Sequence, residues 1–266
     1  MSKYFSGKRV VLTGAGSGLG KAIALEMASS GARHLALIDL DLNSLKSVHA
    51  ECKKRGTDVS IFKADVSIES EMHSVKSKIL RDLGDVDIVI ANAGVGGMNP
   101  GKNFSIPVDR KIMTVNYFGT VNTLIPYVKD MMFKRNGHLV GISSLAALRG
   151  LPEAASYAAS KSAQAIFLES LRVDLKKTGV RVTSIYPGFV QTKMTDHDEF
   201  DMPFMLTAEK AAKEIVKAIG RNESAFLFPF PMKVLALLNR SLPNFLYDFI
   251  MSNFMKTKAN REARIF

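Results

Sequence analysis

The chain has 266 residues, of which 47% are hydrophobic, with 36 Lys+Arg against 25 Asp+Glu, a formal charge of +11 and a single cysteine. This length suits one large α/β domain or at most two small ones. Because Cys52 stands alone, an internal disulfide framework and a zinc site built from several thiolates are excluded. The charge excess points to an anionic partner: nucleic acid, an acidic membrane surface, or an anionic carrier or cofactor.

From the first residues we expect no targeting segment. Residues 1–9 lead directly into a short apolar run, without the longer apolar stretch and small-residue cleavage site of a secretory signal. No uncharged apolar run reaches 18 residues, so we expect no membrane-spanning helix and a cytoplasmic location.

Short apolar runs alternate with amphipathic segments along the chain. The apolar runs predict strands at 9–13, 35–39, 59–63, 88–92, 137–143, 180–186 and 225–228. Apolar residues at three- and four-residue spacing predict helices at 21–30, 45–54, 72–83, 112–134, 155–176 and 208–219. Strands rich in Val, Ile and Leu without strict alternation are typical of parallel sheets buried on both faces. We therefore predict one domain, 1–266, with a Rossmann-like doubly wound parallel sheet of about seven strands, helices on both faces and a C-terminal helical extension.

A glycine-rich string follows the first predicted strand and opens the first helix. It reads Thr13-Gly14-Ala15-Gly16-Ser17-Gly18-Leu19-Gly20. Glycines permit a tight turn and a close backbone approach to a pyrophosphate, while the helix N-terminus presents unpaired N–H groups to the anion. The string therefore predicts a dinucleotide site that uses Gly14, Ser17, Gly18, Leu19 and Gly20.

An acidic residue, Asp39, ends the second predicted strand 19 residues after Gly20. A carboxylate at this place accepts hydrogen bonds from the adenosine ribose hydroxyls and repels a 2′-phosphate. The following residue is Leu40, and the loop carries Ser17 rather than a basic residue, so we predict that NAD(H) is preferred over NADP(H). The alternative is that Asp39 caps the following turn together with Asn43.

Tyr157 and Lys161 stand four residues apart on a predicted helix and so share one face. A phenol with a pKa near 10 is a poor base at neutral pH, but a neighbouring ammonium stabilises the phenolate and makes proton transfer feasible. On spacing alone, most such pairs are surface features.

The surrounding residues resemble the short-chain dehydrogenase/reductase family over nearly the whole chain, up to about Phe228. Two positions depart from its pattern: Ala91 precedes Asn92 where a second asparagine is usual, and Ala146-Ala147 stands where Ala-Gly is common. The resemblance rests on six motifs in family order and spacing: the glycine-rich string, Asn92-Ala93-Gly94, Asn116, Ser143-Ser144, Tyr157-Ala158-Ala159-Ser160-Lys161 and Pro187-Gly188.

The resemblance implies a catalytic role for four residues. Tyr157 would be the general acid/base at the substrate oxygen, and Lys161 would assist it and bind the nicotinamide ribose. Ser144, which lies 13 residues before the tyrosine as the family serine usually does, would hydrogen-bond the substrate oxygen. Ser144 and Tyr157 would thus be the substrate-binding pair. Asn116 would kink its helix and hold a water that relays protons from Lys161.

The resemblance also implies the remaining cofactor contacts. Asp65 and Val66 would contact the adenine, and Asn92, Ala93 and Gly94 would line the cofactor cleft. The nicotinamide carboxamide would be bound by Pro187, Gly188, Val190 and Thr192. The implied reaction is hydride transfer between NAD(H) and a secondary alcohol or ketone, in a homodimer or homotetramer.

Two segments depart from the βα alternation. Residues 188–207 form a long polar connection that we assign as a substrate loop. Residues 229–266 form an apolar and basic C-terminal helical extension, in which polar residues recur every four from Asn244 through Asp248 and Ser252 to Lys256. Its wide apolar face must be covered by the domain itself or a second subunit, by closing as a lid over an apolar pocket, or by peripheral contact with a membrane. An apolar substrate, such as a steroid, retinoid or lipid-like molecule, follows from this extension and the loop.

Two other functions stay open. A 3-oxoacyl thioester reductase would suit the basic surface through its acidic carrier, although Asp39 disfavours the NADPH that such enzymes more often use. A dinucleotide-sensing binding protein with little turnover would not need Tyr157 and Lys161. Five scattered histidines and one cysteine predict no metal site, and no nucleic-acid-binding motif is present.

Overall fold

The computed structural model describes residues 3–192, 194–195, 202–255 and 262–266. Its main sheet contains seven parallel strands: β1 (Arg9–Thr13), β2 (His34–Asp39), β3 (Asp58–Lys63), β4 (Ile88–Ala91), β6 (Gly137–Ile142), β7 (Val180–Pro187) and β10 (Ala225–Phe228). Four short strands lie outside it: β5 (Gly97–Met98), β8 (Val190–Gln191), β9 (Leu206–Thr207) and β11 (Arg264–Ile265). The order in the sheet is β3-β2-β1-β4-β6-β7-β10, which confirms the predicted doubly wound topology.

The helices follow the strands in the expected alternation. They are α1 (Gly18–Ser29), α2 (Leu42–Lys53), α3 (Glu69–Leu83), α4 (Ile106–Met113), α5 (Gly119–Phe133), α6 (Ala155–Asp174), α7 (Ala208–Gly220), α8 (Phe230–Ser241) and α9 (Asn244–Met255). No helix among the described residues is both long enough and apolar enough to cross a membrane.

Successive strand residues are buried on opposite faces of the sheet. In β1, Val10 and Leu12 join a cluster with α1, α2 and α7, whereas Val11 joins a second cluster with α3, α5 and α6. Because side chains alternate along a strand and both faces are covered by helices, the strands read as continuous apolar runs. The two cores therefore fix the carboxyl ends of the neighbouring strands β1, β4 and β6 side by side at one edge of the sheet.

Four predicted helices start too late: those at 21–30, 45–54 and 72–83 by three residues, and the helix at 112–134 by six. The structure has α4 from Ile106, a π-helical turn at Thr114–Phe118, and then α5. Ser105 caps α4 by accepting a hydrogen bond from Val108 N at 3.4 Å, and Pro107 lies in its first turn, where a missing N–H is tolerated. The Ser105-Ile106-Pro107 sequence is thus a helix start and not part of a loop. The π turn places Asn116 within the interruption.

Candidate active site

The glycine-rich loop leaves β1 and turns sharply into α1. Gly14 has φ +65° and Gly18 has φ +50°, a conformation that favours glycine. A Cβ at Gly20 would lie 1.9 Å from Gly14 O, and a Cβ at Gly18 would lie 3.2 Å from Thr192 Cγ2. The loop therefore brings bare backbone and the N-terminus of α1 to the sheet edge, as close approach of a pyrophosphate requires.

The Asn92-Ala93-Gly94 segment is tied directly to this loop. Asn92 Nδ2 donates to Thr13 O at 3.0 Å and to Gly14 O at 3.2 Å, while Thr13 Oγ1 accepts from the backbone N–H groups of Asn92 and Ala93. These bonds join the ends of β1 and β4, where a doubly wound sheet has its ligand crevice. Asn92 and Ala93 thus fix the loop shape.

Asp39 lies at the end of β2, beside the loop. Its Oδ2 accepts from Gly16 N at 2.8 Å and its Oδ1 accepts from Asp41 N at 3.1 Å. The following turn is capped by Asp41, which accepts from Asn43 N at 2.9 Å. The half-buried Asp39 carboxylate therefore lies against the glycine-rich loop at the end of β2, and the pairing with Asn43 belongs to Asp41.

The predicted adenine contacts lie after β3. Asp65 Oδ1 accepts from both Ser67 N at 2.8 Å and Ser67 Oγ at 2.6 Å. Burial alone would raise the pKa of Asp65, but these hydrogen bonds and the charge of Lys111 outweigh it and lower that pKa. Val66 is buried, and its carbonyl accepts from Asn122 Nδ2 at 2.9 Å.

Lys161 and Tyr157 lie on one face of α6. The Lys161 ammonium is buried, donates to Ile142 O at 3.1 Å, and lies 5.8 Å from the centroid of the Tyr157 ring. A Cβ added at Gly94 would be 3.5 Å from Lys161 Nζ, so the amine faces the Asn92-Ala93-Gly94 segment. Burial lowers the pKa of Lys161 to about 7.

The two serines after β6 have different surroundings. Ser143 is buried, and its Oγ donates to Lys161 O at 2.8 Å. Ser144 is half-buried, and its Oγ accepts from Ala146 N at 3.1 Å while lying 3.5 Å from Pro187 O. Of the two, Ser144 has the hydroxyl with access to a substrate.

Asn116 is fully buried in the π turn. Its Oδ1 accepts from Val95 N at 2.8 Å, and its Nδ2 donates to Val95 O at 3.0 Å and to Ser160 Oγ at 2.9 Å. Ser160 Oγ in turn donates to Tyr157 O at 2.8 Å. Asn116 therefore links the segment after β4 to the Tyr157 turn of α6. The role of Ser160 was missed by the sequence reasoning, although a serine beside Lys161 was visible in the motif.

The 187–195 region approaches the loop from the other side. Gly188 N donates to Phe228 O at 2.7 Å, and Val190 is buried as β8 pairs in parallel with β9. Thr192 N donates to Thr195 Oγ1 at 2.9 Å, which closes a turn beside Gly18. Of the predicted substrate loop 188–207, residues 193 and 196–201 lie outside the described residues.

The C-terminal extension begins against the site. A Cβ at Gly188 would lie 3.2 Å from Pro229 Cδ and 3.4 Å from both Leu145 Cδ1 and Met232 Cβ. Met232 is buried with Leu145 and Tyr186. Residues 256–261 of the predicted extension, including Lys256, lie outside the described residues.

Two anchoring residues outside the predicted set hold this region. Asn99 is buried and donates to Ser156 Oγ at 2.9 Å, beside Tyr157. Arg149 Nη1 donates to Asn239 O and Leu242 O, both at 2.7 Å. No motif marks either residue, because both contact groups that are distant in sequence. Among the described residues, no cluster of three His, Cys, Asp or Glu could hold a metal ion.

Comparisons with known proteins agree with this arrangement. The family model for short chain dehydrogenases matches residues 8–202. An uncharacterised oxidoreductase of Myxococcus xanthus is 38% identical over 242 residues, which cover 91% of this chain and 95% of that one. The 11-beta-hydroxysteroid dehydrogenase-like 2 protein of Arabidopsis thaliana is 32% identical over 268 residues, which cover 97% of this chain and 86% of that one.

Among solved structures, a short chain dehydrogenase/reductase from Burkholderia phymatum in complex with NAD superposes with a TM-score of 0.82 at 25% identity, covering 94% of this chain and 96% of that one. Sequence similarity over nearly the full length and a shared fold agree with the family model. The resemblance predicted from the motifs is confirmed, and the chain belongs to the short-chain dehydrogenase/reductase family of oxidoreductases.

Proposed function

We propose that the protein transfers a hydride between NAD(H) and a secondary alcohol or ketone, with Tyr157 as the general acid/base. The observation that carries the proposal is the buried Lys161 ammonium, 5.8 Å from the Tyr157 ring centroid and beside Gly94. With a pKa of about 7, this amine is protonated in about half of the molecules at neutral pH, and in that form it stabilises the Tyr157 phenolate and favours proton transfer.

Each residue near Tyr157 has a separate task in this proposal. The phenol donates a proton to the substrate oxygen during reduction and accepts one during oxidation. Ser144 Oγ hydrogen-bonds the same oxygen and stabilises its developing charge. The Lys161 ammonium has three N–H donors, of which one binds Ile142 O, so two would be available to a nicotinamide ribose hydroxyl. Asn116 holds the segment after β4 and the Tyr157 turn together and is part of the proton path.

The cofactor residues fit a nicotinamide dinucleotide. The bound nicotinamide would supply or accept the hydride. The glycine-rich loop and the N-terminus of α1 would bind the pyrophosphate, Asp65 and Val66 the adenine, and Pro187, Gly188, Val190 and Thr192 the carboxamide. The Asp39 carboxylate supports NAD(H) over NADP(H), because it would repel a 2′-phosphate.

An apolar substrate suits the surroundings of the site. Leu145, Tyr186 and Met232 form an apolar cluster directly behind Ser144. The hydroxysteroid dehydrogenase named above supports a steroid-like alcohol or ketone for this chain. Residues 188–207 would form the substrate loop of a single domain.

The outer face of the extension supports a partner. Large apolar side chains are exposed on both C-terminal helices, among them Phe230, Leu235 and Leu238 on α8 and Phe245 and Phe249 on α9. Exposed apolar patches of this kind mark interaction surfaces. We assign this face to a second copy of the chain in a homodimer or homotetramer of a cytoplasmic protein. Sedimentation of the protein with anionic vesicles tests for peripheral membrane contact. Binding to the vesicles through this face would contradict its assignment to a second copy of the chain.

The function is tested by following NADH oxidation with a panel of ketones from small and acyclic to polycyclic. We expect turnover with apolar ketones, and a fall of about 10³-fold in kcat for Tyr157→Phe with NADH affinity unchanged. The buried Tyr127, remote from the site on α5, provides the matched control, and Tyr127→Phe should keep its activity. NADH binding without turnover of any carbonyl would contradict the proposal and favour a dinucleotide-sensing protein. Preference for NADPH and thioester substrates would favour a 3-oxoacyl thioester reductase.

A further inference from the structure

A short segment after β4, residues 94–99, runs from the Lys161 side of the site toward Tyr157. At one end, a Cβ on Gly94 would lie 3.5 Å from Lys161 Nζ. At the other end, Asn99 Nδ2 donates to Ser156 Oγ at 2.9 Å, next to Tyr157 in the chain. Whatever covers the middle of this segment therefore borders the space in which the substrate would react.

The middle of the segment is covered by residues 264–266. Strand β11 pairs antiparallel with β5, so that Arg264 is opposite Met98 and Ile265 is opposite Gly97. Phe266 N continues the ladder by donating to Gly96 O at 3.1 Å. The Arg264 guanidinium carbon lies 4.9 Å from the centroid of the Phe266 ring, which adds a side-chain contact to the backbone pairing.

Two apolar side chains meet above Gly96. A Cβ added there would lie 2.8 Å from Met194 Cγ and 3.6 Å from Phe266 Cδ2. Met194 is held in the turn in which Thr195 Oγ1 donates to Val190 O at 3.0 Å. Gly96 is buried, and it follows Gly94 by two residues, at most about 7 Å along the chain. Phe266 and Met194, from two segments far apart in sequence, therefore both pack against Gly96, two residues from the glycine that faces Lys161.

We propose that Phe266 and Met194 form an apolar wall of the substrate site that sets the size of ketone or alcohol accepted. The inference rests on the proposed function and assigns part of its specificity to a strand far from the catalytic motifs in sequence. An apolar substrate body would pack against the ring and the thioether.

The lack of a side chain at Gly97 allows β11, which carries Phe266 at its end, to lie close to β5. A Cβ at Gly97 would lie 2.8 Å from both Arg264 O and Ile112 Cδ1. Contacts under 3.0 Å with backbone require a shift, and Ile112 is fully buried and cannot yield freely. Gly97→Ala should therefore displace β11 and reproduce the effect of losing the Phe266 ring.

The first test compares Phe266→Ala and Met194→Ala with Ile265→Ala. Ile265 neighbours Phe266 in the chain, and its side chain leaves the strand on the opposite face, so it is a matched control. We expect the kcat/KM ratio of a tetracyclic ketone to cyclohexanone to rise about tenfold in both wall variants and less than twofold in the control. NADH affinity should not change. The proposal is wrong if this kcat/KM ratio does not change, if it falls in favour of cyclohexanone, or if kcat/KM decreases equally for both ketones.

A second readout separates this proposal from the proposed reaction. The chain contains no tryptophan, so Phe266→Trp introduces a single emitter. With NAD⁺ present, a saturating tetracyclic ketone should reduce acrylamide quenching of that emission at least twofold. Phe133→Trp, at a side chain 92% exposed on α5, should be unaffected. If the ketone protects the emission of the Phe266→Trp variant from acrylamide but the wild type turns over no ketone, the proposed reaction is wrong and the proposed apolar wall is supported. If the wild type turns over ketones but the emission is not protected, the proposed apolar wall is wrong.

Discussion

The Lys161 ammonium lies one helical turn from Tyr157, with its nitrogen 5.8 Å from the phenol ring centroid, and it is held there by the carbonyl of Ile142 at 3.1 Å. The carbonyl belongs to β6 and the two side chains to α6, so the sheet and the helix together fix the pair. Burial at this point also disfavours the charged amine, which makes the stability of the fold depend on pH.

Replacement of Lys161 by methionine should remove that dependence. Burial lowers the pKa of Lys161 from 10.5 to about 7 in the folded protein. Between these values the unfolded chain binds one more proton, so the free energy of unfolding of the wild type rises with pH. Relative to Lys161→Met, it should rise by about 1.4 kcal/mol per pH unit from pH 7 toward pH 10 and be level below pH 7. Urea unfolding without cofactor at four pH values measures this difference.

The matched control for that experiment is Lys53→Met. Lys53 is exposed and pairs with the exposed Asp58, so its variant should follow the wild-type pH profile. Parallel profiles for wild type and Lys161→Met would show that the amine is not buried as described.

The two serines after β6 should respond in opposite ways to substitution. Ser144→Ala removes the accessible hydroxyl, so we expect kcat to fall at least about 10²-fold with only a small loss of stability. Ser143→Ala instead removes a buried hydrogen bond to Lys161 O, so the free energy of unfolding should fall by about 1–2 kcal/mol with kcat within tenfold of the wild type. Kinetics and urea unfolding of the two purified variants distinguish them. A larger kcat loss for Ser143→Ala would reverse the assignment.

The sheet and the cofactor loop were predictable from sequence because their signals are local. The five central strands are apolar runs buried on both faces, the two edge strands β3 and β10 are only partly buried, and glycines mark the loop where a Cβ cannot fit. The predicted strands at 9–13 and 225–228 agree with β1 and β10, and each of the other five has one end displaced by one residue. Tyr157 and Lys161 could be placed on one helix face from their spacing alone.

Other features depend on contacts between distant segments, which no local pattern encodes. The 112–134 helix was predicted to start too late because the charged run Asp109-Arg110-Lys111 separates the Ser105 cap from the apolar residues at 112 and beyond. The coverage of Gly96 by Phe266 joins residues 170 positions apart, and the Arg149 contacts end on backbone carbonyls, which every residue carries. On α9, large apolar side chains stay exposed, so the described part of the chain does not itself cover the apolar face of this helix.

Cofactor preference should depend on Asp39 and its exposed neighbour Leu40. Asp39→Ala with Leu40→Arg replaces a carboxylate that repels a 2′-phosphate by a cation that binds it. We expect the ratio of NADPH to NADH affinity to rise at least about 100-fold, as measured by fluorescence titration. Leu40→Arg alone should gain much less, because the Asp39 carboxylate remains. Tighter binding of NADPH than NADH by the wild type would refute the role of Asp39.

Acid should destabilise the fold through His138. This imidazole is buried between Tyr4 OH and Thr183 Oγ1, each 2.8 Å from a ring nitrogen. Burial, aided by the charge of Arg181, lowers the pKa of His138 from 6.5 to about 3, so below pH 6.5 the unfolded chain binds one more proton. Relative to His138→Asn, the wild type should lose about 1.4 kcal/mol of unfolding free energy per unit from pH 6.5 to pH 4. His73 is exposed, so the free energy of unfolding of His73→Asn should change with pH as that of the wild type does. Unfolding curves at pH 4–7 measure these differences.

Arg149 should control the opening of the C-terminal helices. Its guanidinium donates to the carbonyls of Asn239, Arg240 and Leu242 at the end of α8, and its carbon lies 4.0 Å from the centroid of the Tyr247 ring. A fork of donors on the last carbonyls of a helix cannot be replaced by a single ammonium. Arg149→Lys and Arg149→Ala should therefore both accelerate amide exchange over residues 230–255, by about tenfold or more, while the central strands keep their protection.

Mass spectrometry of hydrogen exchange measures this effect, with Arg172→Ala as the control. Arg172 lies on α6 and pairs with Glu169 at 3.8 Å on the surface, so its loss should leave exchange in 230–255 unchanged. If α8 and α9 were held mainly by the apolar contacts of Met232, the Arg149 variants would exchange like the wild type, and Met232→Ala would accelerate exchange instead. Comparison of the exchange rates of the Arg149 and Met232 variants thus shows whether the Arg149 hydrogen bonds or the burial of Met232 stabilises the C-terminal helices against the site.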